Sequence, residues 1–441
     1  MIRSLFITMT DQAGEDPVCL ICSFTQDYFM TEFDRFTLDN GLRVIVHHDA
    51  STPIVAMNIL YNVGSRDEHP DRTGFAHLFE HLMFGGSVNI PRYDEPLERV
   101  GGENNAFTNN DFTNYYLTVP GHNLETAFWL ESDRMLNLAF SAKSFDVQRN
   151  VVVEEFRQNY LNQPYGDAWL LLRPLAYKVH PYQWAPIGID PSHIENAGME
   201  EVRDFYERFY NPCNAIMVLA GNVETDEIKA LSEKWFGVIG RGSLNKRNLP
   251  VEPVQTEART LTVHRDVPYD AVYKAWHMCS RADASFFATD LISDILSAGQ
   301  SGRLNQQLVK NLRLFSDINA FISGDIEAGL FAITGKLMKG VSMQDAEAAL
   351  QLEIDAICNT IIAEKELQKV KNRVESMMAF SEMRVLDKAM NLAYYELLGD
   401  ANQVNDLVQR YASVTSAEIA IEANKMFKTE NCSTLYYFAK N

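Results

Sequence analysis

Two histidines and one glutamate in a short stretch of the sequence could hold a metal ion and activate a water beside it. Between Thr73 and Gly86 the apolar residues recur at helical spacing until two glycines end the pattern. His77 and His81 are four residues apart, so on a helix both imidazoles leave the same face and can bind one divalent ion. Glu80 precedes the second histidine, where it can reach a metal-bound water without binding the metal.

A helix whose histidines only satisfy polar contacts in a local core is the alternative interpretation of this stretch. Placing three ionisable groups on an otherwise apolar helix is costly unless something pairs them. The metal interpretation is therefore favoured, and zinc is the usual ion for imidazole ligands joined by a carboxylate.

A catalytic zinc site needs a third protein ligand and an open fourth position. The sequence predicts a helix over residues 144–162, and in it Glu155 borders the apolar face whereas Glu154 points nearly opposite. A ligand must face inward, so Glu155 is the predicted third ligand and Glu154 a solvated neighbour. The apolar face comprises Val152, Val153, Phe156 and Tyr160.

A predicted hairpin lies between the metal helix and the helix that carries Glu155. Residues 105–108 and 112–119 form its arms, and the first arm, which contains Asn105, Ala106 and Phe107, is too polar for a buried strand. It fits a sheet edge, which can accept an extended peptide through main-chain hydrogen bonds. An edge blunted by polar residues and binding nothing is the alternative.

Other histidines are less promising as ligands. The strands predicted at 42–46 and 54–61 are joined by a turn at 51–53, and His47 and His48 follow the first of them. Adjacent strand residues point to opposite faces, so both are predicted at the surface. We expect His69 to be solvated and His180 to be structural.

Length and composition exclude several function classes. The 441 residues carry a net charge of −20, which argues against nucleic-acid and anionic-membrane partners. No apolar run approaches the roughly 20 residues of a membrane span. Six cysteines do not suggest a disulfide framework, and the C-x-x-C at Cys19 and Cys22 has no second pair.

The order of predicted elements indicates two domains and a repeat. We expect an N-terminal extension at 1–32, a catalytic domain at 33–239, a polar linker at 240–258 and a second domain at 259–441. Strands at 261–263 and 271–276 and a helix at 286–296 repeat the earlier order without a histidine in the helix. Long packing helices are predicted at 343–364 and 367–398. No export signal is predicted, so the default compartment is cytoplasmic, or periplasmic if the true N-terminus differs.

Together these residues resemble the pitrilysin/insulinase family of zinc peptidases in its half-length form, similar to mitochondrial processing peptidase subunits and their bacterial relatives. The resemblance covers about residues 33–441 and is strongest at 64–66, 77–81, 105–108 and 151–155. It implies two similar α+β domains, each a mostly antiparallel sheet covered by helices. It also implies that His77, His81 and Glu155 bind zinc, that Glu80 is the general base, and that the strand with Asn105 holds substrate.

Two positions depart from the family pattern. Gln148 stands where members often have a further glutamate one helical stretch before the third ligand. Val309 and Ser316 stand where active members need an arginine and a tyrosine that face the opposing half. The sequence therefore predicts the metal-bearing half of a heterodimer whose homologous partner supplies that pair, with a homodimer as the other possibility.

The predicted activity is zinc-dependent hydrolysis of unfolded peptides. A non-catalytic scaffold or peptide-holding subunit is the alternative, although its metal helix would be degraded. A zinc hydrolase of small molecules is a third possibility, and it would need a closed pocket instead of an open strand edge beside the metal.

Overall fold

The computed structural model of the protein describes residues 30–244 and 247–440. Cys19, Cys22 and nearly all of the predicted N-terminal extension therefore lie outside the described residues. The four cysteines that are described carry free thiols.

The first half of the chain forms a mostly antiparallel sheet. Its strands are β1 (Asp34–Thr37), β2 (Arg43–His48), β3 (Ile54–Tyr61), β4 (Glu103–Thr108), β5 (Thr113–Pro120) and β6 (Ala215–Gly221). They lie in the order β1-β2-β6-β3-β5-β4, and only β2 and β6 pair in parallel. Every residue of β6 is buried, so this apolar strand occupies the middle of the sheet. The turn at 51–53 consequently joins two strands that do not pair with each other.

The second half repeats this plan with five strands. They are β7 (Arg259–Arg265), β8 (Ala271–His277), β9 (Phe315–Ile322), β10 (Leu330–Leu337) and β11 (Cys432–Ala439). Their order is β7-β11-β8-β10-β9, and β7 and β11 form the parallel pair. This order matches β2-β6-β3-β5-β4, so the predicted fold class of two similar α+β domains is confirmed.

Helices cover both sheets. In the first half they are α1 (Phe75–Leu82), α2 (Asp94–Arg99), α3 (Leu124–Leu136), α4 (Ala142–Phe156), α5 (Ala168–Ala176), α6 (Ser192–Glu195), α7 (Met199–Phe209) and α8 (Thr225–Phe236). In the second half they are α9 (Phe286–Ser297), α10 (Met343–Asn359), α11 (Glu364–Ser381), α12 (Val385–Leu397), α13 (Leu407–Ser413) and α14 (Ser416–Met426). None of the helices in the described part of the chain has the length and hydropathy of a membrane span.

The single helix predicted over 367–398 is wrong, because residues 382–384 are not helical and separate two helices, α11 and α12. The break lets α12 leave its own half and pack across the first sheet. Its Val385, Ala389 and Leu392 join a buried cluster with Leu60 and Val218.

An opposite exchange involves α5 of the first half. Ala168, Leu172 and Ala176 pack against the second sheet, in a cluster with Tyr273 and Leu435. Each sheet is thus covered on one face by a helix from the other half. The proposed domain boundaries at 240–258 stay a prediction.

Candidate metal centre

Helix α1 is fixed at its start by a buried carboxylate. Gly74 precedes the helix with φ of +93°, and a Cβ there would lie 2.7 Å from the Ile187 carbonyl oxygen, so only glycine fits. Glu68 takes the role of the missing cap side chain. Its two oxygens accept the backbone N–H groups of Gly74 at 2.9 Å and of Ala76 at 2.8 Å. The helix therefore starts from a defined position, which also defines where its histidines point.

The two histidines of α1 lie side by side at the edge of the core. Phe79 and Leu82 of the same helix are buried, whereas the His77 and His81 side chains are 14% and 24% exposed. Their ring centroids are 4.9 Å apart. The i, i+4 spacing thus brings both imidazoles to one partly open site, as the sequence predicted.

Glu155 on α4 completes the group. Its Oε2 lies 3.4 Å from His81 Nε2 and 3.8 Å from His77 Nε2. Glu154 instead points outward and accepts a hydrogen bond from Arg157 at 3.0 Å. Of the two glutamates, Glu155 therefore points toward the histidines, and its role as the third metal ligand stays a prediction.

The geometry of these three side chains fits a divalent ion. One donor atom from each lies within 4.8 Å of the other two, and no other such group of three or more potential ligands occurs among the described residues. Zinc bonds of about 2.0–2.2 Å place neighbouring ligand atoms of a tetrahedral ion about 3.3–3.6 Å apart. The Glu155 oxygen lies close to these distances from both imidazole nitrogens, so the three side chains could close on one ion.

Electrostatics favour the protonation states that a metal requires. Burial, with help from neighbouring His81, lowers the pKa of His77 to about 4, and Glu155 only partly opposes this. The hydrogen bond with His81 and the charge of both imidazoles lower the pKa of Glu155. Near neutral pH the site therefore offers a neutral His77 and a charged carboxylate, which are the ligand forms for zinc.

Glu80 lies beside this group and contacts the hairpin. Burial raises the pKa of the Glu80 carboxyl, while hydrogen bonds from the side chain and backbone of Thr108 act in the opposite direction. A carboxylate with a raised pKa next to a metal site suits a general base. Sequence reasoning did not identify Thr108, because its contact with Glu80 joins two elements that are distant in the chain.

The strand that Thr108 ends is the edge of the first sheet. Among the described strands β4 pairs with β5 alone, so its outer side has no strand neighbour. Ala106 packs toward the core that contains α1, whereas Asn105 and Phe107 alternate to the more exposed side. The predicted edge position of these three residues is confirmed, and peptide binding there remains a prediction.

The remaining histidines do not join the metal group. His47 is buried, and its Nδ1 lies 2.6 Å from the Glu32 carbonyl oxygen, so its predicted surface position is wrong. The cause is the segment around Glu32, which covers β2. His48 and His69 are exposed, as expected. His180 is buried, with its pKa lowered to about 4 by that burial, and its Nδ1 accepts the Tyr182 N–H, which is a structural role.

Two family models match the sequence. The model described as insulinase (peptidase family M16) matches residues 43–169, a span that includes Glu80 and all three candidate ligands. The model described as the peptidase M16 inactive domain matches residues 196–374.

Individual relatives match over nearly the whole chain. The zinc protease PqqE of Helicobacter pylori (strain ATCC 700392 / 26695) is 28% identical over 431 residues, which cover 95% of this chain and 96% of that protein. The crystal structure of a protease from Helicobacter pylori matches with a TM-score of 0.87 at 27% identity, covering 92% of this chain and 100% of that one. The periplasmic protease PqqL from Escherichia coli shares the fold with a TM-score of 0.76 at 20% identity, covering 93% of this chain but 48% of its own.

Proposed function

The chain belongs to the insulinase (M16) family of peptidases, and from this premise we propose that it is a zinc-dependent endopeptidase of unfolded peptides. The observation that carries the proposal is the group of His77, His81 and Glu155, whose donor atoms lie within 4.8 Å of one another beside Glu80. The names of the relatives support zinc as the ion.

In this proposal the two imidazoles and the Glu155 carboxylate hold the ion and leave a position open toward solvent. When bound, zinc supplies Lewis-acid activation of water and of the scissile carbonyl group. Glu80 accepts the proton that the attacking water loses and donates it to the nitrogen of the leaving amine. The new C–O bond forms when water adds to the carbonyl carbon, and the peptide C–N bond breaks after the nitrogen has received the proton, so one water is consumed for each cleavage.

The open edge of β4 supplies the substrate position. A peptide added as a strand would use the outward N–H and C=O groups of β4, and these contacts do not depend on side-chain identity. The same strand ends at Thr108, which contacts Glu80, so docking and proton transfer take place on connected elements. This arrangement favours extended, unfolded substrates over folded proteins.

We further propose that the chain is the metal-bearing half of a two-subunit chamber. Its match to about half of PqqL supports a half-length unit. Val309 is partly buried against the second core, and Ser316 Oγ donates to the Lys336 carbonyl oxygen, so neither can replace an arginine and a tyrosine at an active site. A homologous partner subunit supplies that pair in this proposal.

A peptide-holding subunit without catalysis is the second candidate. The description of the matched second-half model as an inactive domain favours it. The complete ligand group and Glu80 in the first half favour catalysis instead.

Four purified proteins test the proposal: the wild type and the Glu80→Gln, Glu155→Gln and Glu154→Gln variants. Zinc content is measured by atomic emission, and cleavage of an unstructured peptide is measured with and without a co-expressed homologous subunit. We expect Glu80→Gln to keep zinc and lose at least about a thousandfold in cleavage rate, because removal of a general base leaves the metal site intact. Glu155→Gln should lose both zinc and cleavage activity, and Glu154→Gln should match the wild type in both measurements.

Two results would contradict these assignments. Zinc-dependent cleavage retained in Glu80→Gln would overturn the role of that residue. A wild type that binds zinc and peptide but does not cleave with any homologous subunit would favour the peptide-holding candidate.

A further inference from the structure

A cavity of about 350 Å³ opens on the sheet face opposite α1. It lies where α12 and residues 323–325 of the loop after β9 approach the β4–β5 hairpin, so both halves of the molecule build it. With about 30 Å³ for each water, it has room for several waters or one long side chain.

The floor of the cavity has an unsatisfied buried amide. Asn114 on β5 is 1% exposed, and its Nδ2 donates to Asn58 Oδ1 at 2.7 Å. Asn114 Oδ1 has no hydrogen-bond partner among the described residues. A buried acceptor without a donor is costly, and Asn114 lines the cavity. Asn58 Nδ2 on the neighbouring amide also has no partner among the described residues, but Asn58 does not line the cavity, so the open polar atom at the cavity wall is the Asn114 acceptor.

The second wall contributes the carboxylate of Asp325. Asp325 Oδ1 accepts from Asn110 Nδ2 at 2.8 Å, and Asp325 forms no salt bridge with any residue of the described chain. Its neighbour Asp111 is different, because Arg66 lies 2.7 Å away and Tyr182 donates a further hydrogen bond. Burial, then the charge of Asp111, raise the pKa of Asp325 to about 6, although the charge of Arg173 and hydrogen bonds with Ser323 and Asn110 act in the opposite direction.

The remaining walls include three aromatic rings. Phe107 and Phe112 have ring centroids 5.7 Å apart, and Phe112 and Tyr394 are separated by the same distance. Such rings pack against alkyl chains and attract cations through their faces. From the amide, the carboxylate and the rings we propose that this cavity is a binding site for an alkylammonium or guanidinium group.

Two sources could supply this cation. Phe107 lies on the edge strand, and the side chains of an added peptide strand alternate between the two sheet faces, so a substrate lysine or arginine could enter from β4. This source rests on the proposed function. A free polyamine could enter the opening directly, and that source is independent of the metal centre.

Calorimetry with the full-length chain tests the site itself. The probes are Nα-acetyl-lysine amide, its neutral counterpart Nα-acetyl-norleucine amide, and spermidine. We expect the lysine probe to bind at least about tenfold more tightly than the norleucine probe, because a charge-assisted hydrogen bond to Asp325 is formed only by the cation. Asp325→Asn should abolish that difference, whereas Asp317→Asn, an exposed aspartate on β9, should preserve it.

A crystal of the wild-type chain soaked in spermidine gives a second measurement that does not depend on any variant. An ammonium nitrogen within hydrogen-bond distance of Asp325 and Asn114 would support the site. Ordered water alone at that position, or equal binding of the lysine and norleucine probes, would overturn it.

The two sources are separated with the Glu80→Gln chain and matched peptides that contain one lysine or one norleucine. Tighter binding of the lysine peptide, abolished by Asp325→Asn and displaced by spermidine, assigns the site to substrate. Binding of spermidine with no difference between the peptides assigns it to a free cation. Zinc content and cleavage of the norleucine peptide by the wild type are measured separately, so failure of the peptidase proposal is distinguishable.

Discussion

The two halves of the molecule share a strand order and one parallel strand pair, but their first helices differ in what they present. Counted from the helix start, the third, sixth and seventh residues of α1 are His77, Glu80 and His81. The same positions of α9 are Ala288, Leu291 and Ile292, and all three are buried in the second core.

This difference shows that the architecture does not require the candidate metal ligands. The second half forms the same sheet around an apolar helix, so the fold is stabilised by packing and the chemistry is added at a few positions. In the first half those positions lie where α1 meets α4 and the β4 edge, and there the side chains are only partly buried.

The largest expected effect comes from removing the metal face of α1. His81→Ala should lower zinc content from one ion per chain toward zero and reduce cleavage to background, because two remaining ligands bind zinc weakly. The secondary structure should persist, since α9 shows that the fold stands without the ligands. Zinc analysis, circular dichroism and the peptide assay measure these outcomes, and full zinc occupancy in the variant would contradict the assignment of this ligand.

The reverse change should not create a second metal site. Ile292→His places an imidazole in a fully buried position, and we expect a loss of about 3–5 kcal/mol in the free energy of unfolding without any added zinc. Ile292→Val, which keeps the position apolar, should cost about 0.5–1.5 kcal/mol. Urea unfolding and zinc analysis provide the readouts. A stable variant that binds a second zinc would show that the halves are more alike than their helices indicate.

The exchanged helices allow a matched comparison between the halves. Leu172 of α5 and Leu392 of α12 are each fully buried against the opposite sheet, and truncation of either to alanine should cost about 2–5 kcal/mol. Leu352→Ala on the exposed side of α10 serves as the control, with a loss below about 0.5 kcal/mol. A small loss for either buried leucine would mean that its helix is not part of the other half's core.

The smallest effect is expected for Asp325, which lies in the loop between β9 and β10 and accepts a hydrogen bond from Asn110 in the loop between β4 and β5. The pKa of Asp325 is about 6 in the folded protein against an ordinary 3.8, so its protonated form favours folding. This contribution is complete below about pH 3.8 and is lost as the pH rises through 6. Relative to Asp325→Asn, the wild type should therefore lose about 1–3 kcal/mol between pH 4 and 6, measured by urea unfolding. A constant difference across this range would show that Asp325 titrates normally.

Local patterns in the sequence predicted most of the candidate site. The four-residue spacing brings His77 and His81 together, and the helical face of α4 distinguishes Glu155 from Glu154. The polar composition of β4 indicated a sheet edge. Each inference depended on the spacing of residues within one helix or one strand, and that spacing can be read without knowing the tertiary contacts.

Features that depend on distant contacts could not be predicted in this way. The burial of His47 results from the chain near Glu32, and the contact of Thr108 with Glu80 joins a hairpin to a helix. The sequence did not indicate the interruption between α11 and α12, because the segments on both sides of it are amphipathic. It becomes understandable only when α12 is seen to pack on the first sheet.

The crossing of α5 and α12 has a consequence for any attempt to divide the chain. A cut between α8 and β7 would leave each fragment with an uncovered apolar sheet face, and each would carry the helix that the other one lacks. Fragments made separately would tend to aggregate, whereas fragments produced in the same cell could reassemble by complementation without a peptide bond between them.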